Sequence, residues 1–468
     1  MRSTLFFAIA FLFAFIPLMP KIPLTNVANT FVAVRIEDVI IAVTISMWLI
    51  YMIKTGQAKT LFKDKLNQAL LIFFFVGAIS IFSANFLTHT VIPNLSLLHW
   101  ARRVELMLLM PLVSTVVKSK RQQLSILALL SFVVLAVNLY GLGQQYLDWP
   151  VISTTNSEFS KGLILRLTPG ARVNSTFAGH YDLAVFLAMA LILLSSLFFV
   201  MKKFLKIWVV GLGILSLLVL IMTAARVSFL AAIVGIFSTL FLLKKWKFIV
   251  LMLVCTSLIL IYPSQLRDRF ISTITVNIFR QGQRYEAKTE DQRLRNKLNI
   301  PTLAIQTSSG SASTSSFASP SGKTATDITP GEPLDTTQLG VYRSFEIRLN
   351  IEWPRAITAF EKNPLLGTGY SSLDIATDND LLRSLGEVGF LGTTAFVLIF
   401  IEAGKRTYKN FRSGDKFNKY FSAAIYSIIL AFIINGTFID VFEASKAASL
   451  FWMLLGLNLA VRNFDENV

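Results

Sequence analysis

Apolar residues run along this chain in long blocks, and polar residues are confined to the gaps between them. Blocks of about 18–22 such residues have the length an α-helix needs to cross a hydrocarbon layer. They fall near residues 4–20, 38–53, 67–87, 98–117, 123–147, 180–201, 204–223, 227–243, 246–262, 381–402, 418–437 and 445–462. The pattern predicts an all-α polytopic membrane protein with about twelve transmembrane helices. The first block follows a short basic start but ends in Met-Pro-Lys-Ile-Pro. It lacks a small-residue cleavage site and reads as an uncleaved first helix. Two groups of helices result, residues 1–262 with about nine and residues 381–468 with about three. A long polar stretch, 263–380, separates them.

Composition agrees with a membrane protein. Of 468 residues 54% are hydrophobic and only 15% charged, far less charge than a soluble protein of this size carries. The net charge of +17 is explained by basic cytoplasmic loops and calls for no nucleic-acid partner. Alternate gaps hold Lys54, Lys59, Lys63 and Lys65; Lys118, Lys120 and Arg121; Lys202, Lys203 and Lys206; Lys244, Lys245 and Lys247; and Lys405 through Lys419. All share one side if both termini are cytoplasmic. The lone Cys255 lies inside an apolar block, and His89, His99 and His180 are scattered, so no disulfide framework or metal cluster is expected.

The opposite, outward side then holds two long gaps, roughly 148–179 and 263–380. Within the second, Arg267 to Lys297 is basic, with a helix expected near Tyr285–Leu298. Residues 306–332 are rich in Ser, Thr, Gly and Pro and read as a flexible linker. The last part carries Arg343, Arg348, Arg355, Asp378, Asp380 and Glu387, a density of charge that is expensive near membrane depth unless paired or used. Arg348, Glu352 and Arg355 share one face if their segment is helical, and Pro354 marks a kink or a helix start.

Asp378 has two readings, a helix N-cap or an acid–base group. Glu387, two turns into the following block, requires a partner or a water-filled cavity, and Asp380 and Arg383 fall on its face. Arg172 precedes the block at 180–201, and Arg226 lies in an outward turn without a local acid. Each either snorkels to lipid headgroups or binds a polyanion such as a diphosphate, for which the planar guanidinium is suited. Arg102 and Arg103 are expected to pair structurally with nearby Glu105. His180 and Asp182 form a further polar group at the junction after Arg172.

Four segments, RVNSTF, TAARVSF, NPLLGTGY with DNDLLRSLGEVGFLG, and FWMLLGL, occur in an order that resembles the O-antigen ligase/polymerase family of bacterial membrane glycosyltransferases. The resemblance implies a glycosyltransferase C-like membrane fold in the cytoplasmic (inner) membrane, with its active site on the extracytoplasmic face. It also implies a polyprenyl-diphosphate-linked glycan donor, a glycan or lipid acceptor, and chemistry without a cofactor or metal. Ligases of the family typically carry His-Asn before the third-last span. Asp378-Asn379 stands there instead, which favours polymerisation of surface polysaccharide repeat units over ligation.

On that footing Arg172, Arg226, Arg348 and Arg355 are expected to bind the diphosphate. Asp378 and Glu387 are the expected catalytic residues, Asp378 orienting or deprotonating the acceptor hydroxyl and Glu387 holding Arg383 or a catalytic arginine in place. Arg343, His180, Asp182 and Arg383 are secondary candidates. A ligase and a twelve-helix transporter are the rival readings. The chain shows no matched halves of the kind carriers display.

Overall fold

The computed structural model describes residues 1–460 except 22, 27–32, 152–166, 168–170, 276–344 and 374–375. Its N-terminal helices are α1 (Arg2–Leu18), α2 (Ile36–Lys54), α3 (Ala58–Lys63), α4 (Lys65–Ser83), α5 (Pro93–Val116) and α6 (Lys120–Tyr146). Next come α7 (His180–Leu197), α8 (Lys203–Met222), α9 (Arg226–Leu242), α10 (Trp246–Ile261) and α11 (Gln265–Thr275). The rest are α12 (Trp353–Lys362), α13 (Asp380–Ser413), α14 (Lys416–Gly436) and α15 (Ser445–Leu459). An antiparallel pair of short strands, β1 (Pro23–Asn26) and β2 (Ala33–Arg35), departs from the all-α reading.

A helix occupies each of the predicted apolar blocks, but not every one of them is long and apolar enough to count as a membrane crossing. Among the described residues seven helices are long and apolar enough to span a membrane, or eight if α10 and α11, bent by 88°, form one broken span. Helices α1 and α9 are short, α15 is shorter still, and α5 carries Arg102, Arg103 and Glu105. The linker 306–332 and the helix expected near Tyr285–Leu298 lie outside the described residues.

The centre of the bundle is α15, whose side chains are buried from Ser445 through Asn458, with α7 beside it. Between their polar ends both helices are apolar on nearly every face, as suits a helix enclosed by others. Helix α15 packs on α5, and α7 packs on α9 and α14, while α13 lies between α4 and α14. At the periphery α8 and α10 expose Phe204, Ile207, Ile214, Val250 and Leu258. Such faces are unfavourable against water and neutral against lipid tails.

Contacts among the basic loops place them at one end of the bundle. Asp64, which caps α4 through the Leu66 and Asn67 amides, pairs with Arg406 near the end of α13. Lys120 pairs with Asp415, the cap of α14. Lys206 and Lys245 lie over the rings of Phe198 and Phe199 in the turn after α7.

Toward the other end, α13 is broken at Gly389, where φ is 64° and ψ is −166°. A break frees backbone groups that must find partners elsewhere. The NPLLGTGY segment supplies them. Thr368 N donates to Gly386 O and Gly369 N to Glu387 O, both at 2.8 Å, while Phe390 N donates to Pro364 O at 2.8 Å and Leu391 N to Leu365 O at 3.2 Å. Ser80 Oγ of α4 also donates to Glu387 O at 2.8 Å.

This strap lies against α13 because Gly367 and Gly389 have no side chains. A Cβ on Gly389 would fall 2.5 Å from Gly367 N, and one on Gly367 would fall 2.5 Å from the Glu387 carbonyl carbon. Both residues also have positive φ, where glycine has no steric penalty. Gly389→Ala should therefore destabilise the protein by at least about 2 kcal/mol, lowering the melting temperature in detergent relative to a Gly211→Ala control. Gly211, on exposed α8, has open space at its Cβ position. Equal melting of the two variants would refute the close-approach account.

Candidate functional site

The end of the bundle away from the basic loops gathers most of the buried charge. Its anchor is the turn between α14 and α15, residues 437–444. Arg383, only 2% exposed, forms ion pairs with Glu387 one turn along α13 (3.4 Å), with Asp440 (2.9 Å) and with Glu443 (3.7 Å) of that turn. Glu443 also pairs with Arg103 of α5. Asp380 Oδ2 accepts the Val441 amide at 2.9 Å, and Asp440 accepts the amides of Thr377 at 2.8 Å and Asn379 at 3.2 Å. The start of α13 is thus stitched to the α14–α15 turn by both side chains and backbone.

The same turn region reaches two other segments. Ser228 Oγ, two residues after Arg226, donates to Asn435 Oδ1 at 2.7 Å. Lys446, at the start of α15, donates to the carbonyls of Met19 and Thr176 at 2.7 Å each, the latter within RVNSTF. A fully enclosed ammonium is tolerated because backbone oxygens replace its water. Arg172, Arg226 and Asp378 therefore stand on three segments that converge on one end.

Asn379, not Asp378, caps α13: its Oδ1 accepts the Leu381 and Leu382 amides at 3.1 and 3.0 Å. That frees Asp378 for another partner. Its backbone is left-handed (φ 50°), and its carboxylate Oδ2 lies 2.6 Å from Arg348 Nη2. Arg348 belongs to a π-helical turn, Arg348–Glu352, that runs into α12 with Pro354 in the first helical turn. Arg355, on α12, donates to Leu373 O at 3.3 Å. Arg343 lies outside the described residues.

Burial pushes the Asp378 carboxyl up, while the Arg348 guanidinium pulls it back. Glu352, half-buried beside this pair, is pushed up to about 6 by burial and then by the Asp378 charge. Among the described residues Glu352 Oε2 and the neighbouring Trp353 Nε1 have no hydrogen-bond partner. For Glu443 the cationic Arg103 and Arg383 outweigh burial and hold the carboxyl well below its usual range.

The remaining sequence candidates are placed less centrally. Arg226 donates to Thr273 Oγ1 and, at 3.4 Å, to Arg269 O, so α11 holds it and it is not the partnerless arginine its turn suggested. Arg172 Nη1 lies 2.7 Å from His180 Nε2. Because a guanidinium only donates, His180 accepts through Nε2 and carries its proton on Nδ1. Asp182 pairs with Lys21 at 3.7 Å. The structural pairing expected for Arg102 and Arg103 with Glu105 is not what forms, since Arg102 pairs with Asp38 and Arg103 with Glu443.

Sequence reasoning missed Asp440 and Glu443, and gave Arg103 and Glu352 no part in the site. The first two were signalled by the acids in TFIDVFEAS, an outward turn that needs none for topology. Glu387, 2% exposed, pairs with Arg383 and accepts the Ser371 amide. Among the described residues no three His, Cys, Asp or Glu side chains are grouped so as to hold a metal ion.

Residues 211–397 match a family model described as O-antigen ligase. The matched stretch contains Arg226, Arg348, Arg355, Asp378, Arg383 and Glu387, and ends before the α14–α15 turn. No curated protein matches the chain.

Removing Arg383 would leave Glu387, Asp440 and Glu443 buried around an empty place. Breaking a buried ion pair at one partner costs about 3–5 kcal/mol. Arg383→Leu should melt far earlier than the wild type in detergent, whereas Arg348→Ala, at the edge of the site, should melt within about 1 kcal/mol of it. Similar melting of both variants would show that the Arg383 cluster does not hold this end together.

Proposed function

Because residues 211–397 match a family model described as O-antigen ligase, we propose that the chain is a membrane glycosyltransferase that polymerises polyprenyl-diphosphate-linked repeat units of a surface polysaccharide. The observation that carries the mechanism is the Arg348–Asp378 pair, with Glu352 and Arg355 beside it and the buried Arg383 cluster beneath it. The pair faces outward in the cytoplasmic membrane, and both termini are cytoplasmic. The gathering of the basic loops at the opposite end supports that orientation.

In this reading the donor's diphosphate lies among Arg348, Arg355, Arg226 and Arg172. The acceptor hydroxyl attacks the anomeric carbon of the donor sugar. The carbon–oxygen bond to the diphosphate breaks, and the diphosphate leaves with the bonding electrons. Guanidinium groups placed in advance stabilise the charge gathering on it. Asp378, with Glu352 next to it, takes the hydroxyl proton. Arg348 leaves Asp378 as the phosphate arrives, which exchanges one oxyanion partner for another and frees the carboxylate to act as base. Glu387, Asp440 and Glu443 hold Arg383, and with it the start of α13 that carries Asp378.

Ligation to a final acceptor is the second reading. Aspartate at 378, where the resemblance expects histidine in ligases, favours polymerisation. The O-antigen ligase match favours glycosyl transfer over a carrier.

Deletion of the gene should remove long glycan chains but leave a single repeat unit on the final acceptor. Full-length chains stranded on the carrier lipid would instead mean a ligase, and an unchanged profile would end the glycosyltransferase reading. In complementation, Arg348→Ala and Arg226→Ala should each lower polymer at least about a hundredfold with protein still in the membrane. The rate should also fall as pH drops through about 6, because the base must be ionised and Glu352 takes up a proton there. Glu352→Gln should remove that step from the profile, and a profile unchanged by the substitution would exclude Glu352 from proton transfer.

A further inference from the structure

The π-helical turn Arg348–Glu352 ends where α12 begins, so Glu352 and Trp353 are neighbours at the junction of the two. The Trp353 amide donates to Arg348 O and closes the turn. A π-helical turn inserts one residue and redirects the side chains around it, and such insertions are frequent at functional sites. Phe438 of the α14–α15 turn backs the Trp353 indole, with ring centroids 6.4 Å apart. Glu352 lies within the field of Asp378, Arg348 and Asp440, which puts the junction beside the Arg348–Asp378 pair.

Three buried polar atoms on residues flanking that pair have no hydrogen-bond partner among the described residues: Glu352 Oε2, Trp353 Nε1 and Thr377 Oγ1. Thr377 directly precedes Asp378 and is 1% exposed, and its amide donates to Asp440 Oδ2 at 2.8 Å. Its backbone is therefore held while its hydroxyl makes no bond. Leaving such groups unmade is costly. Ionised Glu352 only accepts, Trp353 only donates, and Thr377 does either. A lipid tail serves none of them. Neighbouring hydroxyls of one sugar both donate and accept, and the apolar body of an indole suits the apolar face of a sugar ring.

We propose that Glu352, Trp353 and Thr377 form the acceptor's sugar subsite and bind the ring whose hydroxyl attacks. The proposal rests on the glycosyltransferase reading and gives that reaction its second substrate. The acceptor reacts through a hydroxyl, while its own carrier diphosphate is held on the anomeric carbon at the opposite end of the repeat unit. The subsite therefore meets hydroxyls, and the arginines are left to the donor's diphosphate. Glu352 accepts from the hydroxyl that Asp378 activates, and Trp353 and Thr377 bind the hydroxyls beside it. Holding the ring in this way orients the nucleophile before reaction.

The probe is a phosphate-free oligosaccharide of one repeat unit, cut from the cell's surface polysaccharide by partial acid hydrolysis. Inorganic pyrophosphate serves as the probe of the diphosphate site. Binding of each to full-length protein in phosphatidylcholine nanodiscs is titrated by NMR. Wild-type protein should bind both. Trp353→Phe keeps a ring against Phe438, and Thr377→Val keeps the branched side chain. Each should weaken oligosaccharide binding at least about fivefold, the loss of one hydrogen bond, and leave pyrophosphate binding and the melting temperature unchanged. Either variant alone suffices if the other fails to fold.

Oligosaccharide binding that the wild type lacks, or that ignores both substitutions, would overturn the subsite. So would an equal loss of pyrophosphate binding, which would mean that the two side chains only hold the structure. Because nothing turns over, binding is read independently of glycosyl transfer. A wild-type protein that binds oligosaccharide through Trp353 and Thr377 but transfers no sugar would overturn the function proposed above and not this subsite. Sugar transfer by a wild type whose oligosaccharide binding ignores both substitutions would do the reverse.

Discussion

Everything at the functional end of this protein depends on making a buried guanidinium tolerable. Arg383 sits where water does not reach, on a helix that starts near the membrane boundary. Its charge is compensated by Glu387 from its own helix and by Asp440 and Glu443 from the α14–α15 turn. An ion cluster of this kind adds little stability over an apolar replacement, but it allows few geometries. Here it selects the arrangement in which α5, α13 and the α14–α15 turn meet. Asp378 stands five residues before Arg383, so this arrangement places the carboxylate that the proposed mechanism uses.

A second constraint is the break at Gly389. A continuous helix through this position would satisfy its own backbone and leave NPLLGTGY without partners. The break instead exposes the carbonyls of Gly386 and Glu387 and the amides of Phe390 and Leu391, and the strap takes all four. The strap also delivers Ser371, whose amide donates to the Glu387 carboxylate at 3.2 Å. Backbone pairing and the ion cluster therefore support each other, since both fix Glu387. Rigid support of this kind is what holding catalytic side chains in place requires.

The proposed chemistry uses the two halves of this end differently. The interior cluster is saturated with partners and acts through position. The edge, with Asp378, Arg348 and Glu352, combines an ion pair that phosphate can replace with a carboxylate whose affinity for protons is raised toward neutrality. Acid–base groups work best when their pKa lies near the working pH.

Length and polarity of the apolar blocks told where the helices would lie, because backbone hydrogen bonding inside a membrane leaves little alternative to a helix. The alternation of basic loops told which loops share an end, and the contacts of Asp64 with Arg406 and Lys120 with Asp415 agree. The i, i+4 spacing of Arg383 and Glu387 was legible because it is local to one helix. The number of true crossings was not, since a short or charged helix such as α1 or α5 can be held by its neighbours as well as by lipid. Nor were the partners of Arg383, Arg103 and Arg226, which come from segments far away in the chain. Asp378 and Asn379 are adjacent and equally good caps on paper, and only the placement of Arg348 and of the α14–α15 turn decided between them. Local periodicity reflects one helix and its solvent, whereas the pairing of buried charges depends on which helices pack together, and only the tertiary structure supplies that.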